Sequence, residues 1–315
     1  ETLRKYPLLN WNMGMVYNLR ESDERIYPQG ELGRRTIGLT GDRGNYGIEA
    51  VYREELAGRD GRATRQRIAR GFYGRVVDGD NIDPIDGLDV VTTLDLDVQD
   101  VANRYLREQL EAQNAIWGTT IVMEVRTGEI LALVNLGRTP GGGYAERENY
   151  AIGRNTEPGS TFKLASMLLL LDDADMPLDQ TYDTGNGRVV KVGGIRVQDS
   201  HAGFNDMDFR TAVAQSSNVY FAKAIWERYA DNKERYSDFM KKLHLDQTVG
   251  LEAFGEKKPL FQDWKEVPDP NSMLVRRSFG YRIKLSPIQV ITLYNTIAND
   301  GKMTVSYTHL RAHET

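Results

Sequence analysis

The chain has 315 residues, enough for a sizeable core and a second, smaller unit, so two domains are the working expectation. It holds no cysteine, which excludes disulfides, thiolate metal sites and cysteine nucleophiles. A net charge of -5 without a basic stretch argues against nucleic acid as a partner.

No run reaches the roughly 18 consecutive apolar residues of a membrane helix. The opening "ETLRKYPLLNWNM" lacks the basic-then-apolar layout of a signal peptide. The chain is therefore expected either to be cytosolic or to have lost a targeting segment.

Residues 1–88 are rich in Gly, Arg and Asp, with short apolar clusters between turn signals, and predict an irregular module of short strands and small helices. Val90 to Thr93 then read as a strand, followed by a helix on which Val98, Val101, Tyr105, Leu106 and Leu110 share one face. "TTIVMEV" and "GEILALVNL", joined by "RTGE", predict an antiparallel hairpin. A helix followed by a hairpin points to an α+β fold.

The connection "GRTPGGGYAERENYAIGRNTEPG" lacks phosphate-cradle spacing and is expected to be a flexible loop without a ligand. "DGDNIDPIDG" fails the calcium-loop pattern at Ile82, and Asp95, Asp97 and Asp100 stand where a helix cap and first-turn acids belong. His201 and His244 are isolated, so neither a metal nor a cofactor is expected. The close "VSYTHLRAHET" carries two of the four histidines in its last seven residues without apolar periodicity; residues 305–315 are expected to be a non-native tail.

In "EPGSTFKLASMLLLL", residues 157–171, a helix is expected to begin near Gly159, placing Ser160 and Lys163 on one face. A serine hydroxyl needs a neighbouring base to become a nucleophile. Lysine serves only when neutral, a state favoured by desolvation in the apolar run that follows. Taken alone, the pair is also what an ordinary helix cap looks like.

"FRTAVAQSSNVYFAKAIWERY", residues 209–229, adds a second polar element. Ser216, Ser217 and Asn218 interrupt an otherwise apolar helical pattern where turn-forming residues need a reason. Ser216 could pass a proton from Lys163 to a leaving group, and the Asn218 amide could hold a carbonyl. A plain polar turn between two short helices is the alternative. No G-x-S-x-G occurs, and the adjacent Asp199, Ser200 and His201 cannot fold into a triad without severe strain.

These motifs, together with "GNYGIEAVYREELAGRDG", "DGLDVVTTLDLDVQ", "IVMEVRTGEILALVN" and "SFGYRIKLSPIQVITLYNTIANDG", resemble the class B penicillin-binding proteins over nearly all of residues 30–304. The resemblance implies a β-lactamase/transpeptidase-like fold, an antiparallel sheet flanked by helices, preceded by part of an irregular pedestal. It assigns 1–88 to the pedestal and 89–304 to an incomplete transpeptidase domain.

It implies a peptidoglycan D,D-transpeptidase with Ser160 as nucleophile, Lys163 as base, and Ser216 with Asn218 as relay and substrate holder. The substrates would be stem peptides ending in D-Ala-D-Ala, and β-lactams would acylate the same serine. No cofactor, metal or nucleic acid is implied. A membrane glycosyltransferase and division proteins are the expected partners, at the periplasmic face of the inner membrane.

The division branch looks closer than the elongation branch. The family's Lys-Thr/Ser-Gly motif is expected beyond "NTIANDGKM", so a chain cut at both ends, and inactive as it stands, is one competing expectation. A β-lactam hydrolase or sensor domain is another.

Overall fold

A computed structural model describes residues 25–41, 44–63, 65–69, 72–75, 81–253, 255–304 and 308–311. The chain divides into two compact units, Glu1–Glu31 and Leu32–Thr315. Of the first, residues 25–31 are described and include a turn in which the Gly30 N–H donates to the Tyr27 carbonyl at 3.0 Å. Residues 1–24, at the start of the expected pedestal, and 305–307 and 312–315 of the expected tail lie outside the described residues.

The second unit opens with short helices at Arg34–Ile37, Gly47–Val51 and Arg53–Ala57 and an antiparallel pair of strands, Arg65–Ala69 with Phe72–Arg75. Short elements between glycine turns are what this composition predicts. Strand β1 (Asp89–Thr92) and helix α1 (Leu96–Ala112) follow. Asp95 caps α1 as expected, accepting from the Asp97 and Val98 N–H groups at 2.9 and 3.1 Å.

The predicted hairpin forms from β2 (Trp117–Met123) and β3 (Ile130–Arg138), with Thr120 opposite Val134. The glycine-rich connection does more than loop. Gly142, at φ 92°, closes a turn in which the Thr139 N–H reaches the Gly143 carbonyl at 2.7 Å. The chain returns as β4 (Tyr144–Ala145), a third strand beside β3.

β3 is buried on both faces. Ile130 and Leu133 pack with Ala151, Ile152 and Ile288, while Val134 and Leu136 pack with Leu110 and Tyr144. The antiparallel sheet is thus flanked by helices, the α+β arrangement expected.

The buried face of α1 differs from the one the apolar pattern predicts. Val101 and Tyr105 are 45% and 56% exposed, whereas Gln99 is buried at 1%. Gln99 lies along the edge of β3, donating through Nε2 to the Leu133 carbonyl at 3.0 Å and accepting the Leu133 N–H at 2.8 Å. Its amide substitutes for a neighbouring strand, and an unsatisfied buried peptide group costs more than an exposed valine. Helix orientation follows that pairing, with Ala102, Leu106 and Leu110 inward.

Beyond the sheet lie α2 (Lys163–Leu168), hairpin strands β5 (Val190–Val192) and β6 (Ile195–Val197), α3 (Phe209–Ala214), α4 (Asn218–Tyr229), α5 (Lys233–Lys242), α6 (Pro270–Arg277) and α7 (Pro287–Ala298). α4 is apolar nearly all round and is the centre of the largest core. Tyr220, Phe221, Ile225 and Tyr229 are fully buried there, against Phe162, Leu169 and Tyr236.

The β5–β6 turn takes Gly193 and Gly194 at φ 55° and 84°, the left-handed pair that a two-residue hairpin needs. Val192 and Val197 anchor this hairpin against Val219, Val275 and Phe279. Finally β7 (Thr308–Arg311), within the segment expected to be a tail, pairs antiparallel with β1.

Candidate active site

Pro158 ends an extended segment that runs beside residues 280–285, with Thr156 and Leu285 exchanging backbone hydrogen bonds at 2.9 and 3.0 Å. The Gly159 N–H donates to the Gly280 carbonyl at 3.0 Å. Gly280 sits at φ 89°, and a Cβ there would collide with the Gly159 carbonyl, so two backbones touch where only glycine fits. The Arg282 N–H donates to Glu157 Oε1 at 3.0 Å, Ser166 Oγ to the Ser278 carbonyl at 2.8 Å, and the Tyr294 hydroxyl to the Thr161 carbonyl at 3.0 Å.

Held on these sides, Gly159–Phe162 forms one 3₁₀ turn before α2 begins at Lys163. Side chains at i and i+3 eclipse in 3₁₀ geometry. Ser160 is therefore exposed at the surface while Lys163, 4% exposed, lies directly beneath with Nζ 3.1 Å from Ser160 Oγ.

The polar interruption near 216 is a break between two helices. α3 stops at Ala214, and α4 starts at Asn218 with Ser217 as its cap, Oγ accepting the Tyr220 N–H at 3.0 Å. Between them Ser216 takes the left-handed region, φ 52°, unusual for a residue with a side chain. That conformation turns both its carbonyl and its hydroxyl to Lys163 Nζ, at 2.5 and 3.0 Å. Asn218 Nδ2 donates to the Gln198 carbonyl at 3.1 Å, which leaves Oδ1 facing Nζ at 2.7 Å.

The structure thus gathers the four sequence-predicted residues, Ser160, Lys163, Ser216 and Asn218, around one nitrogen. A neutral amine has two N–H donors and one lone pair. The Ser216 carbonyl and Asn218 Oδ1 can only accept, so they take the two hydrogens. The lone pair is left to the Ser160 and Ser216 hydroxyls, either of which can donate to it. Burial pushes the Lys163 pKa down to about 8, opposed by the negative charge of Asp199. Roughly a tenth of the lysine is then neutral at pH 7.

Several residues of this site escaped the sequence reading. Asp199 accepts from Ser217 Oγ at 2.8 Å and from the Val219 N–H at 2.9 Å, so it belongs to the 216–218 turn and not to a triad with His201. Glu157 and Gly280 position the serine turn. Beside that turn runs an open groove of about 500 Å³, bordered by Pro158 and Thr161 on one side and by Pro287, Val290 and Tyr294 of α7 on the other.

Comparison with known proteins identifies the family and the fold. The penicillin binding protein transpeptidase domain family matches residues 118–309. PenA of Neisseria gonorrhoeae, named a probable peptidoglycan D,D-transpeptidase, is 30% identical over 289 residues, covering 88% of this chain and 48% of its own length. FtsI of Escherichia coli, also named a peptidoglycan D,D-transpeptidase, is 27% identical over 299 residues, covering 90% and 48%. The chain spans about half the length of these curated relatives.

Penicillin binding protein 3 of Mycobacterium tuberculosis, solved with aztreonam, shares the fold with a TM-score of 0.74 at 23% identity, covering 93% of this chain and 62% of that one. With that family matched over more than half its length, the chain belongs to the penicillin-binding protein transpeptidases, as a class B member.

Proposed function

We propose that this chain carries the acylation site of a division-type peptidoglycan D,D-transpeptidase. One observation supports this above all: a buried lysine nitrogen lies between an exposed serine hydroxyl and the polar turn at 216–218. The two relatives compared are both named for the same reaction, and the M. tuberculosis neighbour is solved with a β-lactam.

In this reading Ser160 Oγ attacks the carbonyl carbon of the penultimate D-Ala of a stem peptide, and its proton passes to the neutral Lys163 Nζ. The tetrahedral intermediate collapses as the C–N bond breaks. The terminal D-Ala amine leaves with a proton relayed from Lys163 through Ser216 Oγ. An ester to Ser160 remains.

An amine from a second strand, delivered along the groove beside Pro158 and Thr161, then attacks that ester. It forms the new amide, and its proton returns through Lys163 to the serine. Asn218 Nδ2, bonded to the Gln198 carbonyl in the free enzyme, is the donor available to hold a substrate carbonyl.

The same reading gives 1–88 the role of a pedestal and 89–304 that of the transpeptidase domain. It assigns the whole protein to the periplasmic face of the inner membrane, alongside a membrane glycosyltransferase and division proteins. Among the described residues no helix is long and apolar enough to cross a membrane.

The test is labelling with a fluorescent penicillin followed by intact mass measurement. Stoichiometric labelling that disappears in Ser160→Ala is expected, with slow release of the label. Equal labelling of the variant refutes the nucleophile, and rapid turnover of a chromogenic cephalosporin points to a hydrolase instead.

A further inference from the structure

We infer that Asp199 is a positioning residue for acylation: its carboxylate clamps the Ser216–Asn218 turn from behind and so holds in place the two acceptors that face Lys163. The inference rests on the transpeptidase reading for its consequence, though the clamp is a matter of geometry.

Each carboxylate oxygen of Asp199 has its own donor, Ser217 Oγ on Oδ2 at 2.8 Å and the Val219 N–H on Oδ1 at 2.9 Å. Both donors are buried, Ser217 at 1% and Val219 at 0% exposure, and hydrogen bonds to an ionised acceptor are the strong kind. Between these anchors and the end of α3 lies Ser216 in its left-handed conformation, which persists only where neighbouring contacts over-determine it. Releasing Ser217 frees Ser216 to relax, and its carbonyl and hydroxyl then leave Nζ.

The residue before Asp199 works on the other side of the turn. The Gln198 carbonyl binds Asn218 Nδ2 and thereby aims Oδ1 at Nζ. Gln198 and Asp199 directly follow β6, whose Val197 packs into the Val219, Val275 and Phe279 cluster. On the far side of that hairpin, a side chain at Gly193 would run into the Trp226 indole of α4. The clamp is therefore mounted on a braced hairpin.

Asp199 also acts through space. The groups facing Nζ are the Ser160 and Ser216 hydroxyls, the Ser216 carbonyl, the Asn218 amide and the Phe221 ring, 5.9 Å away, none of them charged. Tyr220 and Lys223 of α4 bond instead to the Gln180 and Asp183 carbonyls, and Arg277 of α6 is held between Phe261 and Trp264. From the 280–285 segment, Arg282 and Lys284 are exposed. The Asp199 charge favours the protonated lysine, so losing it should move Lys163 further down.

Acylation by a fluorescent penicillin, followed against pH in the full chain, separates the two effects. Asp199→Ala should lower the alkaline plateau by roughly 100-fold, the scale of losing orientation at a reacting centre. Asp199→Asn, which keeps an acceptor and loses the charge, should lower it less and shift the acid limb to lower pH. Ser217→Ala loses part of the clamp but keeps the charge, so its plateau should fall with the limb in place.

A purely structural aspartate would lower thermal stability and leave the limb unmoved; that result, or parent-like rates in both Asp199 variants, overturns the inference. NMR titration of ¹³C-labelled lysine gives a readout that does not depend on acylation. A lower Lys163 midpoint in Asp199→Asn is expected, and an unchanged one overturns the through-space effect. A parent chain that is not acylated at Ser160 overturns the transpeptidase reading instead, and the titration still decides whether the Asp199 charge acts on Lys163.

Discussion

Two cations are buried among the described residues, and their surroundings differ. Lys163 is 4% exposed and Arg277 is fully buried; burial lowers both, to about 8 and about 10. Lys163 meets four oxygen atoms, two of them on hydroxyls able to donate as well as accept. Arg277 is stacked between Phe261 and Trp264, 4.4 and 4.8 Å from the ring centres, and donates to the Gln262 and Arg282 carbonyls at 2.7 and 3.3 Å.

A point charge on one nitrogen becomes a base once neutral, whereas a delocalised guanidinium over aromatic faces stays protonated and holds chain segments together. Desolvation alone therefore does not mark a catalytic group. What distinguishes Lys163 is that its partners can return a proton.

Exchanging the cations' chemistry breaks the comparison most sharply. Lys163→Ala should slow acylation by ~100 to 10,000-fold, the usual worth of a general base. Lys163→Arg should do no better, since a guanidinium keeps its proton even where it reaches the same oxygens. Pre-steady-state acylation by a β-lactam measures both. An arginine variant within about tenfold of the parent would mean that positive charge, and not proton transfer, is what Ser160 needs.

Arg277 should show the converse. Arg277→Met keeps bulk but leaves two carbonyls without their donor and removes the stacked cation, a loss of about 2 to 4 kcal/mol. Urea unfolding measures that loss, and the acylation rate of the folded variant should keep the parent's pH limb. A displaced limb would place Arg277 in the catalytic electrostatics and remove the distinction between the two cations.

Both the core of the site and its supports depend on sequence distance, and that is why only part was legible. Ser160 and Lys163 are three residues apart, so any helical turn brings them together. The 216–218 break was visible because three polar residues interrupt an apolar helix. Gln99 pairs with Leu133 across 34 residues, Asp199 with Ser217 across 18, and Gly280 meets Gly159 from the far end of the domain.

No local pattern announces such partners. Gln99 even contradicts the local pattern, because hydrogen-bonding demand at a sheet edge outweighed the apolar stripe that placed Val101 and Tyr105 inward. Asp199 stands beside Ser200 and His201 in sequence, while its partners Ser217 and Val219 lie beyond α3, at the start of α4.

The smallest effect is also the most specific. Because the folded Lys163 titrates near 8 against an ordinary 10.5, the unfolded chain binds more protons between those values. Stability contributed at this site therefore rises as pH climbs through that window, by up to about 1.4 kcal/mol per pH unit; below it the full cost of burying the charge is present. Lys163→Met should lack this rise.

The buried tyrosines Tyr220, Tyr229 and Tyr236, whose pKa values are raised above 10, act in the opposite sense at the top of the window. Since they are common to both proteins, the difference between parent and variant urea stabilities from pH 7 to 10 isolates the lysine. Arg277→Met should follow the parent's rise over most of that range, because Arg277 titrates no lower than about 10. A flat difference between parent and Lys163→Met would mean that Lys163 keeps its proton in the folded state, and the contrast between the two buried cations would go with it.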